Sequence, residues 1–337
     1  MLELINVCKT FNPGTVNAKT ALNDLNLTLN DGDFVTVIGG NGAGKSTMLN
    51  AIAGSFQIDS GKIVIDGTDV TGLPEHKRAA LLGRVFQDPM MGTAPTMQIE
   101  ENLALAARRG QHRGLKWGIT KAERAEYQKR LHALNLGLEE RMTAKVGLLS
   151  GGQRQALTLL MAALQQPKLL LLDEHTAALD PRTAAKVLDL SDRIVQEHGL
   201  TTLMITHNMK DAIAHGNRLI MMDAGQVVVD VSGEEKKKLT VPDLLAMFSR
   251  ASGSDEANDK MLLSALPFLQ YASRRPLRSS AEVHLNSPKI SVDPLLSAGR
   301  QSRRPLQRFC AFKKYAPPPQ LSRLRRRFLP GFAAKYG

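Results

Sequence analysis

The segment that most restricts this chain runs from Phe34 to Ala53. Phe34-Val-Thr-Val-Ile38 is a mostly apolar run with strand character, and it passes directly into Gly39-Gly-Asn-Gly-Ala-Gly44. Lys45 to Ala53 then reads as a helix stopped by Gly54. A strand, a glycine loop and a helix, with Lys45 and Ser46 closing the loop, match the spacing and the context of a phosphate-binding loop. Its four fixed positions would be met by chance on the order of one time in a hundred for a chain of this length. Glycines let successive backbone N–H groups converge on phosphate oxygens, and the helix N-terminus adds partial positive charge. Gly39, Gly40, Asn41, Gly42, Ala43 and Gly44 are therefore expected to hold ATP, together with Thr47. Lys45 is expected to reach the β- and γ-phosphates, and Ser46 to place its hydroxyl on Mg²⁺.

The rest of the body supplies a sheet for that loop. Residues 2–7 and 25–29 alternate apolar and polar, which suggests an antiparallel opening. Residues 169–172, 201–206 and 218–222 are apolar and strand-like, and a helical stretch over residues 182–197 separates the first two. Buried strands alternating with helices imply a parallel sheet covered on both faces. Between Gln87 and Gly151 strand-like runs stop, and residues 99–107 and 121–136 read as helices of a subdomain spanning about residues 88–165. Ser232-Gly-Glu-Glu235 fits a capping box, and Thr240-Val-Pro-Asp243 fits a second helix start before Leu244, Leu245, Met247 and Phe248.

Leu169-Leu-Leu-Leu-Asp173-Glu174 is an apolar strand that ends in two carboxylates. Such a strand delivers them to the carboxyl edge of the sheet, where ligands bind in open α/β folds. Asp173 is expected to hold the Mg²⁺ shell through water, and Glu174 to polarise the attacking water as general base. On its own the same pattern also describes a core strand followed by a solvated acidic turn. The phosphate loop in the same chain favours the catalytic reading.

Leu149-Ser150-Gly151-Gly152-Gln153-Arg154-Gln155 narrows the field. Here the chain resembles the ATP-binding subunits of ABC transporters, whose signature sequence this matches without a departure. The resemblance covers residues 2 to about 250. It implies an α/β fold, a P-loop NTPase cassette with a mixed, largely parallel sheet core, an antiparallel β subdomain and a helical subdomain. It also implies that Ser150, Gly151, Gly152 and Gln153 are offered to the γ-phosphate bound by a second copy, so that two cassettes close head to tail around two ATP molecules. The physical device is again a helix N-terminus presented to an anion. Further positions match in order. Gln87 stands where the family has a glutamine that senses Mg²⁺, His207 where a histidine contacts the γ-phosphate, and Asp180 in the loop that communicates across the dimer. Each of these three, taken alone, reads as a polar cap at a strand or helix end. Phe11 matches the aromatic that stacks on adenine, with an apolar core position under the β subdomain as its alternative. His175 departs from the proline that many members carry there, and the sequence assigns it no role.

One cassette on its own polypeptide resembles importers of small solutes. It implies a separate membrane permease, attachment at the cytoplasmic face of the membrane, and a solute-binding protein as a further partner. Pro89-Met-Met-Gly-Thr-Ala-Pro-Thr-Met97 follows Gln87, and in the family this neighbourhood docks the permease. Met90, Met91 and Met97 fit either an adaptable exposed groove or ordinary core. Asp173-Glu-His-Thr-Ala-Ala-Leu-Asp-Pro181 is similar to a bacterial importer group sometimes linked to aromatic amino acids. The alternative class is a soluble ABC ATPase acting on ribosomes or DNA. Between Ser46 and Ser150 the chain holds neither a heptad stretch nor a cysteine, which speaks against the inserted modules of that class.

Charge distribution separates the body from a C-terminal tail. Residues 265–337 carry 15 Lys and Arg against Glu282 and Asp293, which leaves residues 1–264 with 29 basic and 30 acidic side chains. The formal net charge of +12 therefore belongs to the tail, and no nucleic-acid partner is expected for the body. The tail also holds nine of the 16 prolines and has no sustained periodicity. It is expected to be disordered, after a linker over residues 251–264. It reads as an arm for anionic lipid or RNA, a regulatory module, or sequence dispensable to the family's function. Cys8 and Cys310 are too few for a disulfide framework, and no signal peptide or membrane span is expected.

Overall fold

The computed structural model describes residues 1–111 and 118–252. The chain divides into two units, Met1–Leu277 and Arg278–Gly337, and every described residue belongs to the first. The expected basic tail, and Cys310 with it, lies outside the described residues.

The first strands are longer than their alternating stretches. β1 (Leu2–Phe11) and β2 (Lys19–Leu29) pair antiparallel through three register shifts, near which Asn6 and Asp24 take positive φ angles of 48° and 50°. Each shift interrupts the two-residue period while pairing continues, so periodicity alone shortens these strands. β3 (Phe34–Gly39) is buried at every position and leads through the glycine loop into α1 (Lys45–Ala53). β4 (Ser60–Ile65) and β5 (Thr68–Asp69) complete a four-stranded antiparallel sheet in the order β2-β1-β4-β5. β4 was not expected, because only its last three residues are buried.

α2 (Glu75–Arg78) ends in an arginine that is 2% exposed. The Arg78 guanidinium donates to the carbonyls of Ala51 at 2.7 Å, Ile52 at 2.9 Å, Leu73 at 2.9 Å and Thr71 at 3.0 Å. It thus satisfies carbonyls at the C-terminus of α1, the negative end of that helix, whose positive end faces the glycine loop. β6 (Leu82–Val85) follows and enters the second sheet.

The helical subdomain contains α3 (Ile99–Ala107), α4 (Lys121–His132) and α5 (Gly151–Ala163). α4 begins with a reciprocal cap: the Thr120 side chain accepts from the Glu123 N–H, while the Glu123 carboxylate accepts the Thr120 N–H at 2.7 Å. Both Glu100 oxygens receive the Arg124 guanidinium at 2.7 Å, which joins α3 to α4. Leu103, Leu131, Leu157 and Leu160 from these helices share one core with Val85 and Leu172 of the sheet.

The chain then alternates through β7 (Leu169–Asp173), α6 (Pro181–His198), β8 (Thr202–Ile205), α7 (Met209–Ala214) and β9 (Arg218–Asp223), of which the short α7 alone was not expected. It closes with β10 (Gln226–Ser232), α8 (Gly233–Lys238) and α9 (Val241–Ser252). The six-stranded sheet has the order β10-β9-β3-β8-β7-β6, with β10 antiparallel at its edge and the other pairs parallel. The β9–β10 hairpin turns through Ala224 and Gly225, both at positive φ. Ala in place of the usual Asn or Asp hides that turn from the sequence. The capping box expected at Ser232 does not form: Ser232 pairs with Arg218 in the sheet and its side chain makes no cap. Thr240 does donate N–H and hydroxyl to Asp243 at the start of α9, whose Leu244 and Phe248 pack on Ile38, Leu219 and Met221. α9 runs two residues into the stretch expected as a linker. Among the described residues no helix is long and apolar enough to cross a membrane.

Candidate active site

Parallel pairing of β3, β8 and β7 places Val37, Ile205 and Asp173 in one row. The segments that follow these strands, with Gly39, His207 and Glu174, therefore leave the same edge of the sheet. Two glycines make the loop possible. At Gly39, φ is 153° and a Cβ would stand 2.3 Å from the Met222 carbonyl oxygen; at Gly44, φ is 98° and a Cβ would stand 2.5 Å from the Ala21 oxygen. Neither position admits a side chain.

A cavity of about 280 Å³ opens over this loop, lined by Asn41, Gly42, Ala43, Gly44, Lys45, Ser46 and Thr47 together with Glu174 and His207. Phe11, Lys19 and Ala21 form its wall from the β subdomain. Phe11 is 37% exposed and meets Phe56 edge to face at 5.4 Å, so it is a wall residue and not a core one. Lys45 is buried and donates to the carbonyls of Gly39 at 2.7 Å and Gly40 at 3.1 Å. Burial lowers its pKa, opposed by the nearby charges of Glu174 and Asp173.

Glu174 is the centre of the constellation. The backbone turns sharply at the end of β7, with φ of 46° at Glu174, whose N–H bonds the Ile205 carbonyl at 3.1 Å. One carboxylate oxygen accepts from Gln87 Nε2 at 3.2 Å and the other lies 2.5 Å from His207 Nε2. Gln87, Glu174 and His207, which lie far apart in the chain, thus meet at one carboxylate, Gln87 through a hydrogen bond and His207 through a close contact. Asp173 beside them lies 3.6 Å from the Arg84 guanidinium. Burial raises the Asp173 pKa, and the Glu174 charge adds to the rise while Arg84 opposes it.

Four signature residues and Asp180 stand apart from this cavity. Ser150 caps α5: its hydroxyl oxygen accepts the Gln153 N–H at 3.3 Å, and Gln153 Oε1 accepts the Ser150 N–H at 3.2 Å. Gly151 is exposed, and Gly152 is buried against Thr183 of α6. Asp180 caps α6 by accepting the Thr183 N–H at 3.1 Å. None of Ser150, Gly151, Gly152, Gln153 or Asp180 lines the cavity of their own chain.

Two residues at the site carry no sequence signal. Lys19 brings its ammonium within 3.2 Å of where a Gly42 Cβ would stand, and it forms no ion pair with any described residue. Arg84 donates to Asn50 at 2.6 Å besides facing Asp173. No motif marks either one. Met90 and Met91, for which core and groove were both open, are 41% and 69% exposed.

Comparison with known proteins agrees with this geometry. The family described as ABC transporter matches residues 22–177. A tyrosine transport ATP-binding protein of Clostridioides difficile is 46% identical over 252 residues, covering 74% of this chain and 100% of that protein. A spermidine/putrescine import ATP-binding protein, PotA, of Haemophilus influenzae is 34% identical over 237 residues, covering 70% of this chain and 59% of the relative. Among solved structures, a dimeric post-hydrolysis state of the ATP-binding cassette MJ0796 bound to ADP and Pi superposes with a TM-score of 0.60 at 31% identity. It covers 69% of this chain and 98% of that one. Motifs, fold and relatives agree: the chain belongs to the ABC transporter family, as an ATP-binding subunit.

Proposed function

We propose that two copies of this chain bind two ATP molecules between them, drive the import of a small solute through a separate membrane permease, and reset by hydrolysis. The observation that carries this reading is the Glu174 carboxylate held between Gln87 and His207 over the phosphate loop. Glu174 takes a proton from the attacking water, whose oxygen forms the new bond to the γ-phosphorus as the bond to the β–γ bridging oxygen breaks. Lys45 leaves its loop carbonyls for the phosphates, and Phe11 stacks on the base. Ser150, Gly151, Gly152 and Gln153 serve the site of the second copy, and Asp180 lies at the contact between copies. Their place outside their own cavity, and the dimeric state of the MJ0796 cassette, support that arrangement.

The residues present fit Mg²⁺. Asp173 and Glu174 put two carboxylates at one strand end, and the raised Asp173 pKa marks negative charge that burial leaves undercompensated. Ser46 is exposed in the loop and lines the same cavity as Glu174. Magnesium takes one or two carboxylates plus phosphate oxygens and water, so Ser46, Asp173 and Gln87 would hold it. When bound it neutralises charge developing on the phosphates.

The permease partner is supported by a second cavity of about 330 Å³, beside the exposed Met90 and Met91 loop, lined by Arg84, Asn102, Leu105, Arg109 and Met161. Attachment to the cytoplasmic face of the membrane follows from that partner, and a solute-binding protein is a further one. An amino acid, and an aromatic one in particular, is the solute class that the named tyrosine transport relative favours. The test is Glu174→Gln in the full chain. ATP binding is expected to persist while turnover falls by about a hundredfold or more; near-normal hydrolysis would remove Glu174 from the role of base.

A further inference from the structure

The left-handed conformation of Glu174 needs a cause. A non-glycine residue at φ of 46° is strained and persists only where its surroundings over-determine it. Two backbone hydrogen bonds hold Glu174 itself, its N–H to Ile205 and its carbonyl from the Ala177 N–H at 3.0 Å. The next side chain supplies a third restraint. His175 is 2% exposed, and its Nε2 lies 2.9 Å from the hydroxyl oxygen of Ser191 on α6, a residue that is fully buried.

The direction of that bond is fixed by counting protons. Ser191 has one hydroxyl proton and donates it to the Val187 carbonyl at 2.8 Å, so toward His175 it can only accept. The ring therefore carries its proton on Nε2 and donates. Both partners are buried, so water does not compete for the bond, and losing either one leaves a buried polar group unpaired. The anchored loop is short. It leaves β7 at Glu174 and ends at Asp180, the cap of the same helix that holds Ser191.

We propose that His175 is a positioning residue for Glu174: its hydrogen bond to Ser191 ties the turn after β7 to α6 and so keeps the Glu174 carboxylate between Gln87 and His207. This rests on the reading of Glu174 as the base. His175 does not line the nucleotide cavity, so its effect falls on kcat and leaves the KM for ATP alone.

His175→Gln and His175→Met separate this from simple packing, because the two side chains have similar length and volume and only Gln carries an N–H to give. In the purified full-length chain, His175→Met is expected to lower kcat about tenfold with KM for ATP unchanged, and His175→Gln to stay within about threefold of the parent. Ser191→Ala tests the other end of the bond with a helix-favouring residue, and there a fall in kcat of about fivefold or more is expected. Equal losses in the Gln and Met variants, a loss in KM in place of kcat, or full kcat in Ser191→Ala would each overturn the proposal. Should Glu174→Gln retain hydrolysis, the base assignment fails. Should Glu174→Gln be inactive while Met equals Gln at position 175, only the positioning role fails.

Discussion

His207 Nε2 lies 2.5 Å from Glu174 Oε1, while the other ring nitrogen, Nδ1, is buried and has no hydrogen-bond partner among the described residues. The ring is thus oriented from one side, by the carboxylate, and the carboxylate in turn is oriented by the ring. Groups that act as a unit are not additive when removed. His207→Ala is expected to lower kcat by about tenfold or more, and the double variant with Glu174→Gln to turn over within about twofold of Glu174→Gln alone. Steady-state hydrolysis of the three variants checks this. Additive losses would show that the two residues act separately.

Gly152 is a packing constraint between α5 and α6. A methyl there would stand 2.1 Å from Thr183 Cγ2, closer than any side chain tolerates. Gly152→Ala is expected to cost about 1–3 kcal/mol of stability through overpacking. Adding Thr183→Ser removes the opposing methyl and should recover most of that loss. Thermal melts of the single and double variants provide the measurement.

Lys19 places a positive charge, unpaired among the described residues, over Gly42 at the mouth of the nucleotide cavity. Lys19→Ala is expected to raise the KM for ATP several-fold, roughly three to ten, with kcat unchanged, as for loss of uniform binding. Because the ammonium is exposed, the difference should shrink in high salt. A KM unaffected by the substitution at low salt would count against any contact with the nucleotide.

The His215 ring donates through Nδ1 to Asp192 at 2.6 Å, and that bond raises the His215 pKa, with Asp192, Asp211 and Asp189 adding through charge against burial. A folded-state pKa above the unfolded one favours the protonated ring in the fold. Its stabilisation is therefore complete below about pH 6.5 and disappears as pH rises through the higher folded value. Asp192→Asn should accordingly lower Tm more at about pH 5.5 than at about pH 8. Above about pH 8 buried Lys236, whose pKa burial lowers to about 8 against the charge of Asp192, loses its proton, and folding stability then rises with pH, opposite to the His215 contribution.

Local chemistry made much of this legible. The glycine loop, the acidic end of β7 and the capped start of α5 each depend on residue types at fixed short spacing, and each stands where its spacing predicts. Strands that break their period were harder to read. β1 and β2 were shortened by their register shifts, while β4 went unread for its exposed first half and β10 for a turn built on Ala224.

By itself the sequence determined the phosphate loop, the alternation of buried strands with helices, and the identity of the residues that could do chemistry, because those are written in runs of a few neighbours. Only the tertiary structure decided which of them act together. Gln87 and His207 reach Glu174 because parallel strands in register bring distant ends to one sheet edge, a relation that no local spacing contains. His175 acquired a role in the same way. Its partner Ser191 is 16 residues along the chain, and their contact exists only once α6 packs behind the turn.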